Sequence, residues 1–166
     1  MHDEALRFVV GVANIYGPFD RVLECGSLNV NGDVREVVAS HFHFGVDLIS
    51  GTGVDHVGEF SEFRSDALND LVVCCEVLEH SNNIDGIIVA ASENLKPGGL
   101  FLITCATDGR APHGCNGGNV GNEYYSNVSE SEIRVALLGL FTILELEMHR
   151  DRGDLYVLAR KVDDGD

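Results

Sequence analysis

The stretch that decides the fold is residues 21–32, RVLECGSLNVNG. Val22 and Leu23 form an apolar run that ends in Glu24, Cys25-Gly26 follow at once, and a polar loop closes on Asn31-Gly32. A short apolar run without polar alternation is the pattern of a strand buried on both faces of a parallel sheet. A strand that ends in an acidic residue and a tight glycine turn, with a helix after it, is a way α/β proteins seat a nucleoside-bearing ligand.

Working outward, the same alternation of element types continues. Residues 32–40 predict a helix with Val34, Val37 and Val38 on one face, and residues 43–49 (HFGVDLI) a second strand that again meets an acidic residue, Asp47. Residues 51–58 are turn-rich, with a short strand over 54–59, and residues 61–69 read as a loop or short helix. Residues 70–76 (DLVVCCE) are the most apolar strand and hence the expected centre of the sheet. A helix starting at Ser81 or Asn82 turns Ile84, Ile87, Ile88, Ala91 and Leu95 inward, and Lys96-Pro97-Gly98-Gly99 stops it before a fifth strand at 100–105.

Upstream, residues 3–16 predict an amphipathic helix capped by Asp3, with Leu6, Val9, Val10 and Ala13 at helical spacing and Gly17-Pro18 as its stop. Downstream, residues 106–128 are a long Gly- and Asn-rich loop, a length that inside a domain usually marks function or disorder. Ser129 and Glu132 then spell a capping box ahead of Ile133, Ala136, Leu137 and Leu140. Two strands, 141–148 and 155–160, close the chain across a turn at 151–154, and residues 163–166 are an expected frayed tail. The expectation is an α/β, Rossmann-like single domain over residues 1–166: a mostly parallel seven-stranded sheet with an antiparallel C-terminal hairpin and helices on both faces, preceded by an N-terminal helical segment (1–18).

Composition narrows the function classes. The chain has 166 residues, 45% hydrophobic and 23% charged, with a net charge of −16 from 27 acidic and 11 basic side chains. The basic residues are scattered, so neither a nucleic-acid partner nor an anionic membrane surface is expected. No apolar run nears the roughly 20 residues of a membrane span. The first residues, MHDEALRFVV, lack a basic n-region and a cleavage site, so no signal peptide and a cytoplasmic location are expected. The five cysteines are odd in number and three lie in apolar runs, which suits buried thiols in a reducing compartment. Cys105, His113 and Cys115 fit no common zinc spacing, and no metal is expected.

Four features fall at carboxyl ends of predicted strands: Glu24-Cys25-Gly26, Asp47, Glu59-Phe60 and Cys75-Glu76. Ligands of open α/β sheets bind there. Gly26 admits close backbone approach, and Asp47, about 20 residues on, is placed to accept hydrogen bonds from ribose hydroxyls. Each has a plainer structural reading as a strand-end tie or tight turn; it is their order that argues for a site. Ser27-Leu28-Asn29-Val30-Asn31 lacks the glycines that let backbone amides crowd a pyrophosphate, and no phosphate-binding G-x-x-x-x-G-K-[ST] occurs. The loop therefore favours a nucleoside without a phosphate chain over NAD or ATP.

The tracts ECGSLNVNGDVR, GVDLISGTGVDHVGEF, DLVVCCEVLEH and NLKPGGLFLITCAT resemble, in order and spacing, the successive motifs of class I S-adenosylmethionine-dependent methyltransferases, small bacterial-type members above all. The resemblance covers about residues 20–160 and includes GRAPHG and EYYSNVSESEI. It implies S-adenosylmethionine as cofactor. On it, Glu24 and Gly26 match the first motif, with Leu28 and Val30 replacing its later glycines, and Ser27 beside them is a cofactor-binding candidate. Asp47 matches the ribose-binding acid and Leu48 its adenine-packing neighbour. Glu59-Phe60 aligns with the pair that meets the adenine ring, and Cys75 and Glu76 lie beside the methionine moiety.

Methyl transfer is in-line displacement at carbon, so positioning dominates and a base is needed only where the acceptor must lose a proton. His80 and His113 are the candidate catalytic bases, each with a bland alternative as a structural or loop histidine, and Tyr124 and Tyr125 are candidate liners of the acceptor pocket. With no room for a separate substrate domain, a small-molecule acceptor is expected, its site built from the N-terminal helix, the 106–128 loop or a second subunit, which leaves room for a homodimer. The competing reading from another class is a catalytically silent S-adenosylmethionine-binding partner subunit of the same fold.

Overall fold

The computed structural model describes residues 2–30 and 32–163; Asn31 and residues 164–166 of the expected tail lie outside them. Its elements are α1 (Asp3–Tyr16), β1 (Phe19–Cys25), α2 (Val34–Val37), β2 (Ser40–Asp47), β3 (His56–Val57), β4 (Asn69–Cys75), α3 (Ile84–Asn94), β5 (Leu95–Ala106), α4 (Glu130–Leu137), β6 (Phe141–His149) and β7 (Asp154–Lys161). The strands form one sheet in the order β3-β2-β1-β4-β5-β7-β6. β1 to β5 pair in parallel, and β7 runs antiparallel to both β5 and β6. β4, the most apolar strand, is the middle of the seven.

Strand alternation sorts the core into two layers. Val22, Leu71, Val73, Leu102 and Leu158 face α1 and α2, packing on Val9, Val12 and Val34. Leu23, Val72, Cys74, Phe101 and Ile103 face the other way, packing on Ile87, Ile88, Ala91, Ile133 and Leu137 of α3 and α4. Helices thus cover both faces.

Several boundaries move for local reasons. α1 is preceded by His2, not capped by Asp3, and no side chain bonds its first amides. Its buried stripe is Ala5, Val9 and Val12. α2 is a single turn, because Asp33 caps it through the Arg35 N–H and β2 already begins at Ser40. β1 starts at Phe19, and β2 ends at Asp47, leaving Leu48 and Ile49 outside it. β3 is only two residues. α3 is capped by the Asn83 side chain, which accepts from Gly86 N–H at 3.2 Å. Lys96-Pro97-Gly98-Gly99 does end α3's run, but lies within β5: Asn69 pairs with Leu95 and Leu71 with Leu100, so these four residues are a bulge on the β5 side. The capping box of Ser129 and Glu132 forms as its spacing requires.

Candidate functional site

A cavity of about 980 Å³ opens at the carboxyl ends of β1, β2 and β4. The strand order reverses between β1 and β4, so this is the topological switch point where open α/β sheets bind ligands. Glu24, Gly26, Asp47, Leu48, Glu59, Phe60, Cys75, Glu76, His80 and His113 all line it. Ser27 does not. Its side chain is buried, against Gly45, and among the described residues its hydroxyl has no hydrogen-bond partner.

The floor is built by the ends of the strands. Gly26 has φ 74°, and a Cβ there would strike Val77. Only glycine lets the β1 turn pass so close to the β4 turn. Asp47 straps the loop after β1: one oxygen accepts the Leu28 N–H and the other the Ile49 N–H, both at 3.0 Å. Leu48 and Ile49 are exposed apolar side chains on the cavity wall. Glu24 is buried and bonds His43 Nε2 at 2.9 Å. Burial raises its carboxyl above the usual range, against the pull of His43. Phe60 is 5% exposed, a core residue that shows one edge to the cavity.

The next turn is strained and well held. Glu76 has φ 56°, a left-handed conformation that costs a non-glycine residue of order 1–3 kcal/mol. Its N–H donates to Thr104 O at 2.8 Å, and its carboxylate accepts from Thr104 Oγ1 at 3.0 Å. The turn then carries Glu79 inward, fully buried. One of its oxygens accepts the Ala106 N–H at 3.1 Å; the other has no partner among the described residues. Burial, helped by the charge of Glu76, pushes its carboxyl up to about 8. The Cys75 thiol is likewise pushed up by burial, which keeps it protonated and a poor nucleophile.

The loop after β5 roofs the cavity. It is tethered by Thr107 N–H to Gly153 O, Ser126 N–H to Glu79 O and Val128 N–H to Ala106 O, each at 2.8–2.9 Å. Arg110 Nη1 donates to Asp154 Oδ1 at 2.5 Å. Asp154, only 1% exposed, also takes the Tyr156 hydroxyl at 3.1 Å and stands 3.4 Å from His2 Nε2. The N-terminal helix, the loop and β7 therefore meet on one carboxylate. Sequence reading placed Asp154 in a turn; a DRGD tract carries no periodicity that would reveal a buried acid. Inside this roof the rings of His80, His113 and Tyr125 pack edge to face, with centroids 4.9–5.5 Å apart. Burial, with the charge of His113, lowers the His80 pKa. Tyr124 lines the cavity, whereas Tyr125 packs behind the histidines and donates to Asn127 Oδ1 at 2.8 Å.

The lining is strongly acidic. Asp3, Glu4, Glu24, Asp47, Glu59, Glu76 and Glu123 contribute carboxyl groups, against the guanidinium of Arg110. A focused negative potential in a concave site favours cations and repels phosphates.

No family model matches the chain. A ubiquinone biosynthesis O-methyltransferase of Rickettsia akari is 40% identical over 43 residues, which span 26% of this chain and 17% of that relative. The structure is similar to the N-methyltransferase NodS of Bradyrhizobium japonicum in complex with S-adenosylhomocysteine, with TM-score 0.71, 17% identity and coverage of 95% of this chain and 86% of that one. It is also similar to the 1,6-didemethyltoxoflavin-N1-methyltransferase of Burkholderia thailandensis with bound 1,6-didemethyltoxoflavin and S-adenosylhomocysteine. There the TM-score is 0.69, the identity 22%, and the coverage 96% of this chain and 79% of that one. With its strand order, its reversed seventh strand and these likenesses, the chain has the fold of the class I S-adenosylmethionine-dependent methyltransferases.

Proposed function

We propose that this protein binds S-adenosylmethionine and transfers its methyl group to a small-molecule acceptor. The observation that carries the reading is the acidic cavity at the switch point. Its volume suits a nucleoside-sized ligand with room for an acceptor, and its lining charge suits a sulfonium and opposes a pyrophosphate. The two solved structures described above, which hold the demethylated cofactor, point the same way.

The residues present fit that cofactor. Asp47 holds the ribose: each of its oxygens already accepts one amide, and a carboxylate has lone pairs left for two hydroxyls. Leu48 packs on the adenine, and Glu59 and the edge of Phe60 close around the ring. Gly26 lets the backbone approach the methionine portion, and Cys75 and Glu76 border it. Glu24 acts on the site through His43, keeping the end of β1 in place beside β2. When bound, the cofactor supplies an electrophilic methyl on a sulfonium leaving group. The remaining work is to align an acceptor and exclude water, which the roof of Arg110, His113 and Tyr124 is shaped to do. His80 and His113 present ring nitrogens at the acceptor end. Burial favours the neutral form of His80, as a nitrogen that takes up a proton or a cation must be.

Calorimetric titration of the full chain with S-adenosylhomocysteine tests the reading: one site of micromolar affinity is expected. Transfer of labelled methyl from S-adenosylmethionine into metabolite pools identifies the acceptor and separates an enzyme from a silent binding subunit. A folded chain that binds NAD and neither form of the cofactor would overturn the assignment.

A further inference from the structure

Beneath the roof of the cavity lies a constellation that methyl transfer alone does not explain. Glu79, His80 and His113 each bring one ligand-type atom within 4.8 Å of the other two. They arrive from two separate segments, the turn after β4 and the loop after β5. Glu79 is fully buried, yet among the described residues one of its oxygens has no partner, and the same is true of the buried His80 Nδ1. A buried polar atom without a partner costs on the order of 1–3 kcal/mol, more if charged. Two such atoms on neighbouring residues of one cluster call for something that satisfies them. In the third member, His113 Nδ1 donates to the Ala111 carbonyl at 3.2 Å. That bond fixes the tautomer with a free lone pair on Nε2, as the outer hydrogen bond of a metal-bound histidine does.

We propose that Glu79, His80 and His113 form a binding site for a divalent transition-metal cation in the acceptor half of the cavity. Two imidazoles and one carboxylate are a ligand set for Zn²⁺, Mn²⁺, Fe²⁺ or Co²⁺ rather than for Ca²⁺ or Mg²⁺, which prefer all-oxygen surroundings. Ligand atoms about 2.1 Å from an ion stand at most about 4.2 Å apart, so loading draws the three together slightly. His113 sits on the loop and supplies that movement. Glu76, one turn away, is not part of the set. Its carboxylate is engaged by Thr104 and lies within 4 Å of Arg110 and His2.

Three protein ligands leave coordination positions open, the arrangement of sites that bind an exogenous ligand rather than only brace a fold. His80 and His113 line the cavity, so the open side faces it. Resting on the methyl-transfer reading, this gives the acceptor a chemical class: a small molecule with a hydroxyl or carboxyl oxygen able to join the ion. It also gives the two histidines a ligand role in place of that of general base. The ion site itself does not depend on that reading.

The test uses the full chain, stripped with a chelator that is then removed. Titration with Co²⁺, followed by its ligand-field absorption, and with Zn²⁺, followed by calorimetry, is expected to show one ion per chain. Glu79→Gln and His113→Ala each weaken binding by at least about tenfold, since even outer-shell partners of metal ligands are worth 10–100-fold. His113 is half-buried on a loop, so its variant keeps the fold if the core variant does not; circular dichroism checks both. Cys115→Ser, which removes an exposed thiol in the same cavity, is expected to leave the affinity unchanged. Absence of stoichiometric binding, which would leave an ordered water as the bridge between the two unpartnered atoms, overturns the site. So does binding that survives His113→Ala in full or is lost with Cys115→Ser. Titration of the stripped chain with S-adenosylhomocysteine is read separately. Cofactor binding without ion binding sinks this proposal alone, and ion binding without cofactor binding sinks the methyl-transfer reading alone.

Discussion

Both oxygens of Asp47 are engaged before any ligand arrives, one by Leu28 N–H and one by Ile49 N–H. The residue therefore shapes the loop after β1 as well as lining the cavity. Asp47→Ala is expected to lower S-adenosylhomocysteine affinity by about 10- to 100-fold, the range for losing charge-assisted hydrogen bonds, while far-ultraviolet circular dichroism stays unchanged. Asp47→Asn keeps one carbonyl acceptor and should fall between the two. Calorimetry of the three proteins decides it; equal affinities would remove Asp47 from the site. Glu24 and Asp47 could be picked out in the sequence because each interrupts an apolar run at the end of a strand. Glu79 was visible only as part of a tract, since nothing in EVLEH tells which acid turns inward. Asp154 was invisible, because its burial depends on His2 and Arg110 converging from two distant segments on a strand that also carries Tyr156.

At the scale of elements, α4 shows how far local chemistry reaches. Its start was readable because a capping box is a reciprocal pair at fixed spacing, and Ser129 N–H does donate to Glu132 Oε2 at 2.8 Å. Ser129→Ala is expected to cost about 1 kcal/mol, measured by urea unfolding with an unchanged m-value. The loss should register in global stability because Ile133 and Leu137 anchor the helix in the core. α2 shows the opposite. Its valines suggested two turns, but the distance to the first residue of β2 allows one. Tertiary span, not propensity, set its length. The bulge of β5 is a third case: Pro97 and the glycines signal a break correctly, yet pairing resumes on the same strand once the bulge is passed.

Over the whole molecule, the strand count, the central strand and the antiparallel end were legible from alternation and apolarity. The seat of β7 between β5 and β6 was not, because spacing records which strands are neighbours in sequence and not which edge they join. The amino ends of the strands are fastened by one acid. Asp70 accepts from the Asp20 and Arg21 amides at 3.0 and 2.9 Å and from Lys96 Nζ at 2.6 Å, joining β1, β4 and β5. Burial works to raise its carboxyl, but Lys96 and the two amides outweigh it and hold it below the usual value. A depressed folded-state pKa gives stability that is full above the unfolded pKa of about 4 and is lost as pH falls through the folded value. Glu24 and Glu79, raised by burial, act in the opposite sense and are relieved by acid. Asp70→Asn is therefore expected to lower the melting temperature near pH 7 and to have little effect once the pH lies below the depressed folded value. An equal loss at both would show that the contribution is not electrostatic.

The position of β7 bears on how the molecule comes into being. Among the described residues β6 pairs in the sheet with β7 alone, and the edge of β5 stays open until β7 arrives. The same strand brings Asp154, which secures Arg110 on the loop and meets His2 at the start of α1, 152 positions away. A growing chain thus has its central parallel strands and most of its core before it has a mouth to its cavity. Ligand capture comes after β7 has docked and Asp154 has met both His2 and Arg110, so a bound cofactor would report that the sheet has closed.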